Sequence, residues 1–554
     1  MAASAKLKEM RDLVSQLEGE RTQRQTQWQG LANWLLPWRG LFDGQDGANT
    51  ATDRVKNIIN RAAPRAIVRA AAGITAGMTP QNLRWFKLAH RDPALAEKRG
   101  RRAYLDAVED VFRSTLSSAG FYRHIFGFNE EWLGFGCGLL FMDNDPTTLI
   151  RFEACTAGTY AVALDERGMV SACSRRIKYS AHTLAQKYGK DAISSKSKRL
   201  LEKTPHKMVP CVHVVRPRAE RDPQKIDSQN MPFESVMFEE GTRVEDVLGV
   251  GGYTEMPYFF APFRDALDPY GVGPGDDAVG DAKQLQVLEK EKLIAIQKVS
   301  NPPTRKPSSY KNRLNVGPGG ENLVGHAEGE GIKPLYEIRP DIAAIQQEIA
   351  TVTARIEDAT MASLFADLSL ELRPKDMTAS EYLERKRERM QLLGPSVSGY
   401  EQLVLSSMLV RLWSILDRAH MLPMPPQDAE EVEVIDIEFI SPLSQAMSQT
   451  RAETTRAFLL DALNIAAVKP EALDKVDIDQ ALDEIAKGLG TPGSVIRSDE
   501  DVAKLREARA AAQQQAAQAE QMRAGMESLA KLGGTPSGPG TIAGDVMGKE
   551  GLPQ

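Results

Sequence analysis

Two long helices on either side of a glycine- and proline-rich segment are the feature that most restricts how this chain can fold. In the second helix, apolar side chains recur at alternating intervals of three and four residues, at Ile342, Ile345, Ile349, Val352 and Ile356. This spacing is a heptad stripe, which predicts a helix that packs against other helices along one narrow face. Asp341 directly precedes the stripe and is predicted to cap the helix.

The first of the two helices is predicted over 281–299. Its apolar residues lie on or near one stripe: Leu285, Leu288, Leu293, Ile296 and Val299. Asn301-Pro302-Pro303 should end it, because proline lacks the backbone N–H that a helix needs. At 1.5 Å per residue the helices would be about 28 Å and 33 Å long. The pattern predicts an antiparallel stalk with a small module at its tip, whose apolar stripe needs neighbouring helices to cover it.

The N-terminal part of the chain is predicted to be helical. An alanine-rich helix opened by Asp53 should bend or break at Pro64, and further helices are predicted over 104–118 and 124–132. Two apolar faces at helical spacing precede them, the second ending at Pro37; their residues are Leu7, Met10, Val14 and Leu17, then Trp28, Leu31, Trp34 and Leu35.

From Leu149 the apolar periodicity becomes that of strands, which predicts a mixed α/β region over about 145–265. Asp165-Glu166-Arg167-Gly168 is a hairpin turn between two of these strands, and 216–231 is predicted to be an irregular insertion. Strands are predicted at 151–153, 159–163, 169–179, 209–215, 235–238 and 258–260. The fold class is therefore mainly α with a mixed α/β domain.

The last part of the chain combines helices with one strand. Thr378 and Glu381 form a capping box for a charged helix that runs through Arg389 and stops at Gly394-Pro395. A second helix follows with Leu403, Met408, Leu412 and Ile415 as its stripe, then a proline-rich turn and an alternating strand over 432–439. Helices are predicted over 454–463, 478–489 and 500–532, and the glycine-rich tail from Gly533 is predicted to be disordered.

Composition and missing motifs exclude several classes of function. With 554 residues the chain is too long for one compact core, and a net charge of −6 argues against a broad basic face for nucleic acid. Four dispersed cysteines predict free thiols in a reducing cytoplasm. We find no secretion signal, no apolar run of membrane-spanning length, no P-loop and no hydrolase or kinase signature. The sequence predicts no catalytic residue, no cofactor and no metal site.

Two weak signals have a structural and a functional interpretation. His206, Cys211 and His213 could be a metal cluster, but the segment also alternates like a strand. The glycine-rich runs 134–138 and 271–275 could cradle phosphate, but neither follows a strand and opens a helix with a trailing lysine. The structural interpretation, tight backbone packing or a hinge, is favoured for both runs.

Basic and acidic residues supply the remaining candidates. The cluster Glu381 to Arg389 is interpreted as a solvated or inter-subunit face, with phosphate contact through Arg385, Lys386, Arg387 or Arg389 as the alternative. In the tip module, DNA contact and docking of a partner protein are equally open for the basic residues, which are Arg305, Lys306, Lys311 and Arg313.

The order of motifs along the chain resembles the portal, or head-to-tail connector, proteins of short-tailed double-stranded-DNA bacteriophages. The helix–helix–strand order of 377–444 carries most of the resemblance. Shorter matches extend it over roughly 20–450: Gly19-Glu20-Arg21, Trp28, Trp34-Leu35-Leu36-Pro37, 73–80, 85–88, Phe135-Gly136-Cys137-Gly138, Met256-Pro257-Tyr258, Tyr270-Gly271 and Asn301-Pro302-Pro303. Val272-Gly273-Pro274 departs from the Arg-Ser-Pro expected after Tyr-Gly, and nothing matches after about Ile496.

The resemblance implies a ring, expected to have twelve subunits, built from wing, stem, clip and crown domains. It assigns 1–280 to the wing, 281–299 and 341–365 to the two stem helices, and 300–340 to the clip. It assigns 366–377 to a tunnel loop, 378–449 to a return through the wing, 450–532 to the crown and 533–554 to the tail.

The resemblance also implies a function and partners. The ring would occupy one capsid vertex of the virion, assemble in the host cytoplasm without a membrane, and pass genomic DNA during packaging and ejection. Its partners would be double-stranded DNA, the terminase large subunit, a tail adaptor, and the major capsid and scaffolding proteins. Arg373 and Lys375 would face DNA, the basic tip residues would dock partners or contact DNA, and Glu381, Arg385 and Arg389 would lie between subunits.

Two other classes of function fit the same residues less well. A cytoplasmic helical scaffold or adaptor without a pore would use the stalk to form a small oligomer. A nucleic-acid-processing enzyme would need a metal site, and the sequence has no clustered Asp, Glu and His ligands of the required spacing. The size of the assembled particle distinguishes the scaffold from the ring.

Overall fold

The computed structural model divides the chain into two compact units, Met1–Thr450 and Arg451–Gln554. The structure describes residues 2–42, 47–90, 99–225, 227–241, 247–301, 303–305, 311, 313–315, 333–334, 341–365, 393–425, 435–466, 469, 476–488 and 499–533. Helices predominate and antiparallel sheets occupy the middle of the first unit, so the predicted mixture of α and β structure is confirmed.

The N-terminal region is helical, with two differences from the prediction. Helix α1 (Ala2–Trp34) is one continuous helix of 33 residues rather than two, because no proline or glycine pair interrupts its two apolar faces. Helices α2 (Gly47–Lys56) and α3 (Ala62–Met78) are separate. The break between them lies before Pro64, which sits in the first turn of α3, where its missing N–H costs nothing.

A short strand and two helices lead into the sheets. They are β1 (Phe86–His90), α4 (Arg99–Ser118) and α5 (Phe121–Gly134), and the two helices lie close to the predicted ones. The strands β2 (Cys137–Asp145), β3 (Leu149–Cys155), β4 (Tyr160–Leu164) and β5 (Val170–Ser180) follow. The predicted hairpin joins β4 to β5, and Gly168 in its turn has a φ of 76°.

The rest of the α/β region adds two short helices and four strands. These are α6 (Ala181–Tyr188), α7 (Ser195–Lys203), β6 (Met208–Pro217), β7 (Phe233–Glu239), β8 (Val247–Tyr253) and β9 (Tyr258–Pro262). The strands form a five-stranded antiparallel sheet in the order β4-β5-β6-β7-β8 and a three-stranded sheet in the order β3-β2-β9. The sequence analysis did not predict α6, α7, β2 or β8.

The five-stranded sheet is covered on both faces. Leu7, Met10 and Val14 of α1 pack on the face that carries Val212 and Val214. The opposite face carries Val209 and Cys211 and packs against α6 and α7. Because successive residues of a strand point to opposite faces, β6 is apolar on both sides and forms the middle layer.

The two long helices of the predicted stalk are both present. Helix α8 (Pro274–Ser300) ends at Asn301, as predicted, and begins seven residues earlier than the predicted start. The strands β10 (Thr304–Arg305) and β11 (Lys333–Pro334) pair antiparallel within the segment that follows. Helix α9 (Ile342–Ala359) is capped by Asp341, whose carboxylate accepts the Ala344 N–H at 3.0 Å, as predicted.

After α9, residues 393–400 are helical and continue through a π-helical turn, Glu401–Ser406, into α10 (Ser407–Arg418). Strand β12 (Ile435–Phe439) pairs antiparallel with β1, so a late segment of the first unit lies beside an early one. Helix α11 (Pro442–Ala466) starts in the first unit and ends in the second, which also contains α12 (Ile478–Gly488) and α13 (Asp499–Gly533). The segments predicted as a tunnel loop, a charged helix and a disordered tail lie outside the described residues.

Candidate functional site

The helix pair α8 and α9 is the candidate functional element. Arg355 lies 3.5 Å from the Asp281 carboxylate and donates to the Gln284 side chain at 3.3 Å. Gln284 also reaches Glu348, at 3.5 Å. Residues later in α8 contact residues earlier in α9, so the two helices are antiparallel, as predicted.

The pair is buried at its base and exposed towards its tip. In α9 the predicted stripe lies on the packed face: Val352 and Ile356 are fully buried, whereas the earlier stripe residues are only partly buried. In α8, Leu285 is fully buried, but Leu293 is 47% exposed and Val299 is 51% exposed. Large apolar side chains in water are unfavourable by about 25 cal/mol per Å² of exposed apolar surface, so the tip presents an uncovered apolar surface.

The base of α8 is positioned by direct contact between the glycine-rich runs 134–138 and 271–275, the second of which includes the start of the helix. A Cβ added to Gly136 would lie 2.7 Å from the Gly273 nitrogen, and one added to Gly273 would lie 2.6 Å from the Gly136 Cα. Gly275 is packed in the same way against the Gly134 carbonyl. Gly136 also has a φ of 83°, which favours glycine. Tight backbone packing, the structural interpretation of both runs, is therefore confirmed.

Side chains of α1 hold the start of α8 in place. Arg24 donates to the Gly271 carbonyl and lies 3.7 Å from the Asp276 carboxylate. Asp276 in turn accepts the Gly273 N–H at 2.9 Å, which closes the first turn of α8. The indole N–H of Trp28 donates to the Phe135 carbonyl at 3.1 Å, so one face of α1 binds both glycine-rich runs.

Helix α8 is also tied to the loop between α2 and α3. The Gln286 amide oxygen accepts the backbone N–H groups of Ile59 and Asn60, at 2.8 and 2.9 Å. Its amide nitrogen donates to the Asn60 carbonyl at 2.8 Å. Gln286 is buried, so its three hydrogen bonds satisfy polar groups that would otherwise be costly to bury.

Several motifs that carry the family resemblance are brought together by the fold. Gly73 lies directly beneath the Phe365 ring, where any side chain would overlap it. Trp28 and Tyr270 stack edge to face with their ring centroids 5.0 Å apart. Trp85 is fully buried and stacks on Phe439 of β12, with a centroid distance of 6.5 Å. These motifs are distant in sequence but act as packing contacts of one core.

The structure describes only part of the predicted charged set. Lys311 and Arg313 are exposed, and Arg305 lies in β10. The other predicted residues lie outside the described part of the chain; they are Lys306, Arg373, Lys375, Glu381, Arg385 and Arg389. Their assignments remain predictions.

The histidine and cysteines of the α/β region have structural roles. His213 is buried and hydrogen-bonded to the Tyr258 hydroxyl at 2.7 Å and the Ser235 hydroxyl at 2.9 Å. Burial lowers the pKa of His213 to about 3, so the ring is neutral at pH 7. The cysteines are free and buried, and burial raises the pKa of Cys211 to about 12. Within the described residues, no group of three or more His, Cys, Asp and Glu side chains could hold a metal ion.

Two buried carboxyl groups hold backbone segments in the same core. The Glu131 carboxylate accepts the Ala157 N–H at 2.8 Å, and that of Glu109 accepts the Leu88 N–H at 2.8 Å. Burial raises the pKa of each to about 7. Both carboxyl groups are committed to backbone hydrogen bonds.

The sequence analysis missed the contacts that position α8. Arg21 and Arg24 lie three residues apart and share a helix face with the buried Trp28, Leu31 and Leu35. That spacing is the signal that both arginines point into the protein, and Arg21 does donate to the Gly158 carbonyl at 2.8 Å. No comparable signal identifies Gln286, whose partners are more than 200 positions away.

The described arrangement is a helix pair with a closely packed base and an uncovered apolar tip. No helix in the described part of the chain is long and apolar enough to cross a bilayer.

Comparison with known proteins identifies relatives along the full chain. The sequence matches the family model for bacteriophage head to tail connecting protein over residues 7–496. It is 32% identical over 552 residues to the probable portal protein of Bordetella phage BPP-1, with 99% of each chain covered. It is 30% identical over 550 residues to the portal protein of Salmonella phage epsilon15, with 98% of each chain covered. The chain therefore belongs to the family of bacteriophage head-to-tail connecting proteins.

Proposed function

We propose that this protein is a phage portal: a ring at one capsid vertex through which genomic DNA enters and leaves. The observation that carries the proposal is the similarity to two proteins named as portals along essentially their entire lengths. Because both alignments cover nearly the whole of each chain, this chain and the two relatives share similarity from end to end. The chain acts as a structural conduit, and the energy for packaging comes from a separate motor.

The helix pair supports a role as the stem of the ring. Each copy leaves apolar residues of α8 exposed at the tip, including Leu293, Ile296 and Val299. In a closed ring, every stalk has a neighbour on each side, so the same surfaces are covered in all copies. The glycine contacts at the base of α8 would fix the angle at which each stalk leaves its own subunit.

We assign the remaining domains in the order expected for a portal. Residues 1–280 and 378–449 would form the wing, 300–340 the clip and 450–532 the crown. The compact units divide at Thr450, next to the proposed start of the crown. The clip would bind the terminase large subunit and then the tail adaptor, and the wing would face the capsid and scaffolding proteins.

Contact with DNA is assigned to the segment 366–377 between α9 and the return to the wing. Arg373 and Lys375 are its basic residues. A net charge of −6 per chain suits a channel that lets DNA slide, because strong neutralisation of phosphates would add affinity. Glu381, Arg385 and Arg389 would then lie between subunits.

The assembled particle tests the proposed function. Native mass spectrometry and negative-stain images of the full chain should give closed rings of about 0.7 MDa for twelve copies of a 60.9 kDa chain. Monomers or small oligomers without a central pore, under all assembly conditions, would instead favour a helical scaffold or adaptor.

The tunnel segment has its own test. Arg373→Ala combined with Lys375→Ala should leave rings intact and reduce the amount of DNA packaged or retained per particle, because two phosphate contacts per subunit are lost. The matched control is Lys196→Ala combined with Arg199→Ala, two exposed basic residues of α7 to which no contact with DNA or a partner is assigned. Failure of the tunnel variant to form rings, with normal packaging in those that form, would make the segment structural.

A further inference from the structure

A cavity of about 350 Å³ lies in the α/β region, away from the helix pair. Strands of both sheets and α6 contribute to its lining. Its volume is within the range of small-molecule sites, roughly 300–1,000 Å³. Four aromatic rings line it, from four different elements: Phe141, Tyr179, Tyr188 and Tyr253. Aromatic rings at a cavity wall can stack with a planar ligand.

The acidic group of the cavity is already neutralised. Asp143 pairs with Arg151 at 2.9 Å and accepts a hydrogen bond from the Tyr253 hydroxyl at 3.1 Å. The floor is uncharged, because His213 is neutral and bonded to Ser235 and Tyr258. The cavity therefore has no free carboxylate to repel an anion.

Lys187 supplies a further positive charge to the cavity. It lines the cavity yet is an exposed residue, so it lies at the opening. Its ammonium group is 5.7 Å from the ring centroid of Tyr179 and 5.5 Å from that of Tyr188. Within the described part of the chain it forms no ion pair. Contact with two ring faces compensates only part of the hydration that a cation loses.

More positive charge lies beneath the aromatic lining. The Arg175 guanidinium is 5.4 Å from the centroid of Phe141 and its side chain is 5% exposed. It pairs with Glu153, but its Nε and Nη1 atoms have no hydrogen-bond partner within the described residues. Counted with their partners Glu153 and Asp143, the three basic groups Arg175, Arg151 and Lys187 leave one net positive charge at the cavity.

From this geometry we propose that the cavity binds a small organic anion that carries a flat ring. Its phosphate or carboxylate group would bind Lys187 beside Arg151, and its ring would lie against Tyr179 and Tyr188. A nucleoside monophosphate combines both groups in one molecule of suitable size. None of the residues that line the site belongs to α8 or α9.

Calorimetric titration of the full-length protein tests the proposal, with adenosine monophosphate, adenosine and inorganic phosphate as probes. Adenosine monophosphate should bind saturably and more tightly than either of the other two. Lys187→Met should weaken its binding at least about ten-fold, because a hydrogen bond to a charged group is lost. The matched control is Lys190→Met, which removes an exposed lysine just beyond α6 that does not line the cavity.

Each remaining outcome would overturn the proposal. Absence of saturable binding of adenosine monophosphate excludes the site. Equal binding of adenosine excludes the role of the anion, and equal binding of phosphate excludes the role of the aromatic rings. Equal losses in Lys187→Met and Lys190→Met would show a general charge effect. Ring formation is measured on the same samples, so failure of the channel hypothesis would be visible separately.

Discussion

Gly136 shows how one missing side chain fixes the start of a long helix. Its φ of 83° and its contact with Gly273 both require glycine, for two independent reasons. The first is the strain of the left-handed backbone region, and the second is the space that a Cβ would take from another backbone. Because backbone atoms cannot rotate away as a flexible side chain can, the contact leaves little freedom for α8 to shift at its base.

Replacement of Gly136 separates these two reasons. Gly136→Ala should destabilise the monomer by roughly 1–2 kcal/mol for the left-handed φ and by roughly 1–3 kcal/mol more for overlap with Gly273. Gly120→Ala is the matched control, because Gly120 has a φ of 70° but nothing within 4 Å of its Cβ position. Chemical denaturation measures both free energies of unfolding. Equal losses would show that the glycine contact relaxes at no cost.

Glu131 should make the stability of the fold depend on pH. Its folded pKa is about 7, against 4.5 for an unperturbed glutamate, with burial as the main cause. The folded state therefore binds the proton more tightly than the unfolded state. The stabilisation from the protonated form is complete below pH 4.5 and is lost as the pH rises through 7, by about 3 kcal/mol in total.

The variant Glu131→Gln should reduce that loss, since its amide cannot ionise and can still accept the Ala157 N–H. Denaturation at pH 5 and pH 8 measures the difference for both proteins. Part of the dependence should persist in the variant, because burial also raises the pKa of Glu109 to about 7. An unchanged difference between the two pH values would show that Glu131 is not the group responsible.

At the scale of elements, helices and strands with a periodic apolar pattern were predictable from the sequence. Contacts between segments that are distant in sequence were not. The heptad stripe and the cap at Asp341 identified α9, and strand periodicity identified β4 to β7, with the hairpin that joins β4 to β5. Strand β2 is one continuous apolar run, which periodicity cannot distinguish from a buried helix. The three glycines of β8 weaken any strand signal. Helices α6 and α7 are short, and only their serine caps, Ser180 and Ser194, mark them.

The candidate site was predictable to a similar degree. The two helices of the pair were predictable, because an apolar stripe can be recognised within a single segment of the sequence. The seat of α8 was not predictable, because it depends on Arg24, Asp276 and Gln286 meeting partners from remote parts of the chain. The cavity likewise combines residues of both sheets and a helix, and neither its lysine nor its three tyrosines have a distinctive spacing.

The burial gradient along α9 predicts unequal costs of truncation. Ile356→Ala should destabilise the monomer by about 2–5 kcal/mol, because a fully buried side chain leaves a cavity. Ile342→Ala removes the same atoms from the same stripe near the tip, where the side chain is only partly buried, and should cost about 1 kcal/mol or less. Thermal unfolding of the two variants makes the comparison. Equal costs would contradict a stalk whose packing weakens towards its tip.

At the scale of the whole molecule, the first unit combines a continuous buried core with an exposed apolar surface. The core of the first unit is continuous from the N-terminal helices to the base of α8 and α9. The tip of α8 is outside that core and exposes large apolar residues. An exposed apolar surface of this kind marks an interaction site, and in the proposed ring we expect neighbouring subunits to cover it.

The tip surface therefore predicts a variant that folds but does not assemble. Leu293→Asp should leave the unfolding free energy of the monomer within about 0.5 kcal/mol, since Leu293 is 47% exposed. It should also reduce ring formation strongly, because a carboxylate at a buried subunit contact has no partner. Leu267→Asp is the matched control: an exposed leucine outside any helix, whose replacement should affect neither property. Denaturation and native mass spectrometry of the same samples give the two readouts. Normal rings from Leu293→Asp would mean that the exposed stripe of α8 faces solvent in the assembly, and the contacts between stalks would then have to come from other surfaces of the pair.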